Sequence, residues 1–304
     1  KLSSMYKAHK RVFLALRKFV KNQKHNLYFI IGNHDHDLFF PGVQKKLRTM
    51  LKSKHNIFFP LVYKQYGVHV EHGHQYDPMN KIDPEEALVT IAQKTFLNLP
   101  EASVGLLTRF MQLKYKHHPF LERIQPRGIL LTEHKKLGKS IARRSVLYFT
   151  QRMLGHPLRK LINRKARFPK ELLEEAMKRI KKEVDMDVEE FLGFFKRAKK
   201  QHLRESMIYV FGHLHKQHIE KHKGYTILRA DTWRDEYWFH KPSRSILPKQ
   251  KAYVHVSVPA KGKAAWKMIL IPFNRTPMAF DDVVLDEMKY LKQAAKEEEY
   301  KLRL

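Results

Sequence analysis

The sequence predicts an α/β fold, and three observations support that class. Short apolar runs of strand length, at 26–31 and 207–211, alternate with stretches whose apolar residues recur at helical spacing. Three of the predicted strands are followed by loops that contain histidine. In open α/β sheets, ligands bind at the carboxyl ends of the strands, where such loops lie. A hydrophobic content of 43% is enough to build a buried core.

The composition excludes several classes of protein. Lys+Arg 60 against Asp+Glu 30 gives a formal net charge of +30, which favours polyanionic partners. The absence of cysteine excludes disulfides and thiolate metal sites. No apolar run approaches the roughly 18 residues of a membrane-spanning helix, and residues 1–23 lack the apolar core of a signal peptide. We therefore expect a cytoplasmic protein, peripheral at the membrane where its charge meets anionic lipid.

The first third of the chain alternates between helix and strand. Apolar residues at helical spacing predict a helix over 4–23, and a buried strand over 26–31 ends at Gly32. A second helix is predicted over 43–51, followed by strands over 57–63 and 66–71. This alternation is typical of a layered core, of which residues 1–83 form the N-terminal part.

The middle of the chain is predicted to be an inserted helical cap over 84–205. Residues 84–204 show long helical stretches and no convincing strand, and 172–200 has dense charge pairing at i, i+4. Strand character resumes at 207–211, with further strands over 225–228, 251–258 and 265–271 and a closing helix over 282–304. Residues 206–304 are therefore predicted to complete the core.

Candidate metal ligands follow three of the predicted strands. They lie in Gly32-Asn33-His34-Asp35, His72-Gly73-His74 and Gly212-His213-Leu214-His215. Imidazole nitrogens and an amide oxygen suit Mn²⁺, Zn²⁺ or Fe²⁺, whereas Ca²⁺ would require more carboxylates. A single histidine in such a loop is as often a hydrogen-bonded or surface residue as a ligand.

The three loops together, in this order, resemble the calcineurin-like metallophosphoesterase superfamily. The family pattern includes Gly-Asn-His-Asp, a later histidine and Gly-His-x-His, and these match the loops at Gly32, His72 and Gly212. The resemblance implies a layered αββα sandwich and a dinuclear metal centre that hydrolyses phosphate esters. The predicted helical cap of this sequence is similar to the helical insertion of the UDP-2,3-diacylglucosamine pyrophosphohydrolases. This similarity implies a lipid-linked substrate.

The resemblance also implies a role for each matching residue. Asn33, His72 and His213 would bind one metal ion and His215 the other, with Mn²⁺ as the expected metal and Zn²⁺ or Fe²⁺ as alternatives. His34 would act on the leaving group as a general acid or electrostatic stabiliser, oriented by Asp35. The role of His74 stays open, with contact to the substrate or support of a ligand favoured over metal binding.

One departure from the family pattern is large. The family's Asp-x-His and Gly-Asp-x-x-Asp motifs precede Gly-Asn-His-Asp, yet residues 1–34 contain no aspartate or glutamate. Two explanations compete: the sequence is a fragment without its first metal motifs, or the protein is a catalytically inactive homologue. The lysine at position 1 and the helix that follows it favour the fragment.

A long basic segment lies inside the predicted cap. No acidic residue occurs between Glu133 and Glu171, where lysines and arginines alternate with apolar residues. The segment could lie on an anionic membrane, contact nucleic acid, or be an ordinary solvated helix face. Nucleic acid is disfavoured, because aromatic residues for base stacking are sparse there. The candidates for binding an anionic, lipid-linked or nucleotide phosphate are His74, Arg143, Arg144 and Arg152.

Overall fold

The fold of the chain is mixed α/β with several sheets, which confirms the predicted class. The computed structural model describes residues 2–100, 103–104, 120, 123–126, 129, 135–162, 174, 192–193, 195–196, 207–262 and 264–297. The chain forms two compact units. The first comprises Lys1–Pro100, Leu192–Ala230 and Val256–Lys267, and the second comprises Glu101–Phe191, Asp231–His255 and Met268–Leu304. The predicted boundaries after residues 83 and 205 stay a prediction.

The N-terminal segment forms two helices where the sequence predicted one. Helix α1 (Leu2–Ala8) and helix α2 (Lys10–Lys21) are separated at His9, whose backbone angles, φ −119° and ψ 33°, are not helical. The bend allows the Tyr6 ring to pack edge-on against Phe13, with ring centroids 5.3 Å apart. The buried face of α2 packs with helix α3 (Pro41–Leu51) in an apolar cluster formed by Phe13, Val20, Leu47, Leu51 and Ile57.

Strands β1 (Leu27–Tyr28) and β2 (Ile57–Phe58) pair in parallel, and their hydrogen bonding continues beyond both strands. The Ile31 N–H donates to the Pro60 carbonyl at 3.0 Å, so the extended chain is held up to Gly32. Pro60 also divides the strand predicted over 57–63, because proline has no N–H for a sheet ladder. A separate strand, β3 (Val62–Gln65), follows it.

The central sheet of the first unit has the strand order β3-β4-β8-β10-β9. Its parallel middle consists of β4 (Val68–Glu71), β8 (Ile208–Phe211) and β10 (Tyr225–Ala230). The edge strands β3 and β9 (Gln217–His222) run antiparallel to their neighbours. Ile208, Phe211, Ile227 and Leu228 are buried, as expected for strands covered on both faces. The carboxyl ends of the three middle strands therefore lie at one edge of the sheet.

The expectation of no strand within 84–204 is wrong. Strands β5 (Leu88–Ile91) and β6 (Lys94–Leu97) form an antiparallel hairpin, and β7 (Ile124–Gln125) lies further along. The hairpin turns at Ala92 and Gln93, which both have positive φ, 46° and 62°. Two consecutive residues with positive φ form a tight hairpin turn whose twist matches that of the flanking strands. Neither residue here is the Asn or Gly that usually occupies such a turn. The helix predicted over 172–200 lies mostly outside the described residues.

The second unit contains a four-stranded sheet of order β15-β12-β11-β7. It is formed with β11 (Tyr237–His240), β12 (Ser245–Pro248) and β15 (Met278–Ala279), and its core cluster consists of Phe120, Ile124, Ile246 and Phe280. Strands β13 (Ala252–Ser257) and β14 (Ala265–Leu270) form a separate two-stranded sheet. Helix α4 (Lys135–Ile162) lies within the basic segment between Glu133 and Glu171, and helix α5 (Phe280–Glu297) follows β15. Over the described ranges, none of the helices is both long and apolar enough to span a bilayer.

Candidate metal and phosphoester site

Two of the predicted histidine loops lie side by side because the strands before them are parallel neighbours. Glu71 at the end of β4 is in register with Phe211 at the end of β8. The next residues of both strands therefore leave the sheet at the same edge, and the rings of His72 and His213 lie 5.3 Å apart, centroid to centroid.

The third loop, which begins at Gly32, lies against the His72 ring because glycine has no side chain to keep the backbone and the ring apart. A Cβ atom on Gly32 would lie only 2.9 Å from the Cγ atom of His72, and one on Gly212 would lie 3.2 Å from its Nδ1 atom. Both contacts are tighter than ordinary van der Waals separation. Glycine at the start of both motifs thus leaves room for the His72 imidazole between two loops.

A continuous hydrogen-bonded chain joins the three loops. His72 Nε2 donates to Asn33 Oδ1 at 2.9 Å, and Asn33 Nδ2 donates to Asn80 Oδ1 at 3.1 Å. Asn80 Nδ2 then donates to Asp77 Oδ2 at 2.7 Å, which also accepts from His213 Nε2 at 2.9 Å. The predicted ligands Asn33, His72 and His213 are therefore brought together.

Asp77 and Asn80 were missed by reasoning from the sequence. Asp77 is only 1% exposed, and its Oδ1 atom accepts from the Met79 N–H at 2.9 Å, which fixes the carboxylate in the turn. The sequence signal that could have identified them is their position: Asp77 and Asn80 follow closely after His72 and His74, which come at the end of a strand. Asp77 supplies a negative charge that the predicted ligand set lacks.

A second buried network anchors the end of β4. Glu71 Oε1 accepts from the Tyr76 hydroxyl at 2.6 Å and lies 2.9 Å from His69 Nε2. Burial and the neighbouring Glu71 carboxylate raise the pKa of Tyr76, so its hydroxyl stays protonated as a donor. The network ties the strand to the short 3-10 turn His74–Tyr76 and thereby holds the backbone on both sides of Gly73.

Burial keeps the imidazoles of His72 and His74 neutral. Desolvation, reinforced by His213 and His74, lowers the pKa of His72 to about 2. The same cause, with His213 and His36 nearby, lowers the pKa of His74 to about 3. At neutral pH both rings therefore carry a free lone pair, which is the form that binds a metal ion.

The other predicted residues of these loops lie around the cluster. His34 and Asp35 are both exposed, and His34 and His215 each contribute to lowering the pKa of His72. Desolvation raises the pKa of Asp35, and the nearby His34 opposes this shift. His213 and His215 both have positive φ, 68° and 50°, a conformation that is uncommon outside glycine and is found at functional sites.

The three arginines proposed to bind substrate belong to the second unit and lie on α4. Arg143 is exposed and Arg144 is half-buried, whereas the side chain of Arg152 lies outside the described residues. His74, the fourth candidate, lies within the histidine cluster, its ring centroid 5.4 Å from that of His72. Only His74 of these four therefore belongs to the same unit as the histidine loops.

The donor types at the cluster fit a borderline divalent ion. An amide oxygen and imidazole nitrogens suit Mn²⁺, Zn²⁺ or Fe²⁺. The Asn33 amide oxygen lies within hydrogen-bonding distance of His72, and the His213 ring lies 5.3 Å from the His72 ring. In the part of the chain that the structure describes, no three His, Asp or Glu side chains are placed to hold an ion together. The fit is therefore that of Asn33 acting with His72 and His213, an amide with two imidazoles.

No protein-family profile matches this chain. No curated protein matches it either.

Proposed function

We propose that the protein is a metal-dependent phosphoesterase of the calcineurin-like superfamily, with the layered αββα core of that family and a basic helical insertion. The observation that carries the proposal is the meeting of three loops: Asn33 Oδ1 lies 2.9 Å from His72 Nε2, and the His72 ring lies 5.3 Å from that of His213. These are the residues that would bind one metal ion according to the family resemblance.

In this proposal each residue has a separate task. Asn33, His72 and His213 hold a divalent ion, which when bound supplies Lewis-acid chemistry by polarising a phosphoryl oxygen and activating water. Asp77 balances the positive charge and orients His213 through its 2.9 Å hydrogen bond. His34, which is exposed, donates a proton from a ring nitrogen to the oxygen of the leaving group.

The proposed substrate is a phosphate monoester, diester or pyrophosphate on an anionic lipid or nucleotide. The net charge of +30 favours such a substrate by raising its local concentration. The same charge supports peripheral contact with an anionic membrane as part of this proposal, with the cytoplasm as the proposed location, and nucleic acid is the less favoured partner.

The first test measures bound metal. The 304-residue chain is reconstituted with Mn²⁺ and desalted, and the ions per chain are counted by elemental analysis for wild type, His213→Ala and the exposed control His255→Ala. We expect wild type and the control to retain an ion that His213→Ala loses. Equal metal content in all three proteins would refute the site.

The second test measures the proposed role of His34. Hydrolysis of an aryl phosphate is followed for wild type and His34→Ala, together with their Mn²⁺ content. We expect turnover to fall by about 10²-fold or more with metal content unchanged, since a general acid contributes on that order. Loss of metal in His34→Ala would contradict a role at the leaving group.

A second candidate function is a catalytically inactive homologue that binds anionic membrane or nucleic acid through its basic helices. The observation that favours it is the basic character of α4, on which Lys139 and Arg143 are both exposed. Metal binding without hydrolysis of any phosphate ester would favour this candidate over the phosphoesterase.

A further inference from the structure

A buried phenylalanine follows soon after the point where the chain returns to the first unit. The first unit resumes at Leu192, which is 5% exposed, and Phe195 is 0% exposed. The next residue, Lys196, donates through Nζ to Glu220 Oε1 on the edge strand β9 at 2.7 Å. An apolar side chain and an ion pair, adjacent in the sequence, therefore fix this part of the chain to the central sheet.

The Phe195 ring packs edge-on against two residues that lie next to the candidate site. Its centroid is 4.8 Å from that of Phe211 and 5.2 Å from that of Tyr76. Phe211 ends β8 two residues before His213, and Tyr76 comes directly before Asp77. One ring thus contacts the neighbours of both partners in the 2.9 Å hydrogen bond between His213 and Asp77.

The His213 backbone needs support from outside its own loop. Its φ of 68° is strained for a residue with a side chain, and such conformations persist only where the surrounding structure holds them. On the other side of the contact, the Tyr76 hydroxyl is held by Glu71 at 2.6 Å and its ring is held by Phe195. Deleting the Phe195 ring would leave a cavity there, because packed side chains collapse only in part.

We propose that Phe195 is a positioning residue that holds the Asp77 turn against the end of β8 and thereby sets the affinity of the site for its metal ion. The effect on the contact between Asp77 and His213 rests on packing alone, whereas the effect on metal affinity rests on the proposed function. Groups that orient a metal-binding histidine typically contribute about 10- to 100-fold to metal affinity. We therefore expect Phe195→Ala to weaken Mn²⁺ binding about tenfold or more.

The test compares wild type, Phe195→Ala, Asp77→Asn and the control Phe13→Ala. Phe13 is a matched control because it is a buried phenylalanine of the same unit, 9% exposed, in the separate apolar cluster of α2 and α3. Long-range ¹H–¹⁵N correlation spectra of the His213 ring are recorded without metal, and Mn²⁺ affinity is measured by calorimetric titration. Asp77→Asn gives the spectrum of a His213 ring that has lost its carboxylate partner.

We expect the His213 ring resonances of Phe195→Ala to move towards those of Asp77→Asn, while those of Phe13→Ala stay at the wild-type positions. A general loss of stability would affect both alanine variants alike, so this comparison isolates the positioning role. Wild-type His213 resonances in folded Phe195→Ala would overturn the inference, and so would equal shifts in the two alanine variants.

The two measurements separate this inference from the proposed function. If wild type binds no Mn²⁺, the proposed phosphoesterase site falls, and the ring spectra alone decide whether Phe195 holds the contact. If Phe195→Ala moves the His213 resonances yet binds Mn²⁺ as tightly as wild type, the effect on metal affinity is overturned.

A second variant, Phe195→Leu, covers the case in which Phe195→Ala fails to fold. Leucine keeps an apolar side chain in the cluster but loses the ring contacts with Phe211 and Tyr76. We expect a smaller movement of the His213 resonances in the same direction and a Mn²⁺ affinity between those of wild type and Asp77→Asn. Wild-type resonances and affinity in folded Phe195→Leu would contradict the positioning role.

Discussion

At the scale of single residues, the candidate site contains two buried imidazoles, His72 and His74, that are held in their neutral form. Burial removes water from His72 and His74, and the neighbouring rings oppose a positive charge on either. Asp77 is the buried carboxylate in hydrogen-bonding contact with His213. The cluster is therefore suited to accept a cation from outside.

These shifts predict that the metal-free protein loses stability as the pH falls. The pKa of His74 is about 3 in the folded state against an ordinary value of 6.5, so between these values only the unfolded chain takes up the proton. Stability therefore falls as the pH drops from about 6.5 towards 3, by about 2 kcal/mol at pH 5 for this residue.

The measurement is urea unfolding at pH 7 and pH 5 in the presence of a chelator. We expect His74→Asn to reduce the loss of unfolding free energy between the two pH values by about 2 kcal/mol relative to wild type. The exposed control His55→Asn should leave the loss unchanged. The same pH dependence in His74→Asn and wild type would show that His74 titrates normally.

At the scale of elements, the site depends on where strands end and on which residues follow. The parallel pairing of β4 with β8 places His72 and His213 at one edge, and the hydrogen bonds beyond β1 deliver Gly32 to the His72 ring. Nothing larger than glycine fits at position 32 unless the imidazole moves. The glycine thus controls the position of a proposed metal ligand.

Gly32→Ala is expected to displace His72 and weaken metal binding. The added Cβ would lie 2.9 Å from Cγ and Nδ1 of that ring, and overpacking of this kind costs about 1–3 kcal/mol. The matched control is Gly42→Ala in α3, where a Cβ meets nothing within 4 Å. Urea unfolding and Mn²⁺ content are measured for both variants. If Gly32→Ala behaves like Gly42→Ala, the close approach is not required.

At the scale of the whole molecule, the dominant property is the net charge of +30. Helix α4 adds a local feature, because Lys139, Arg143 and Leu147 recur at four-residue spacing and all three are exposed. Leu154, 75% exposed, continues the same face. Basic side chains on an exposed helix face attract the headgroups of anionic lipids.

Binding to anionic vesicles is therefore expected to depend on salt and on α4. Lys139→Glu/Arg143→Glu should weaken sedimentation with phosphatidylglycerol vesicles about tenfold or more, since each basic residue near an anionic surface is worth about 1 kcal/mol. Added salt should weaken wild-type binding as well, because the Debye length falls from about 10 Å at 0.1 M to about 3 Å at 1 M.

The matched control reverses two exposed charges elsewhere, Lys223→Glu/Lys261→Glu, and should have the smaller effect. Neutral phosphatidylcholine vesicles serve as the lipid control. Equal binding to neutral and anionic vesicles would contradict an electrostatic membrane contact.

Much of the first unit could be predicted from local patterns in the sequence. The helix predicted over 43–51, observed over Pro41–Leu51, and the strands ending at Glu71 and Phe211 follow from apolar runs and their periodicity. The hairpin β5–β6 was missed because its turn, Ala92-Gln93, has neither the Asn nor the Gly that marks such turns. The break at His9 was missed because the apolar spacing on both sides of it is that of one helix.

The sequence by itself determined the α/β class, the strand-end motifs and the strongly basic character, because each depends on neighbouring residues or on composition. Only the tertiary structure decided that Asp77 contacts His213, 136 positions away in the chain, and that His36 lies against His74. Such contacts depend on which strands pair and where the loops between them turn. These depend on the burial of the whole core, which local periodicity does not encode.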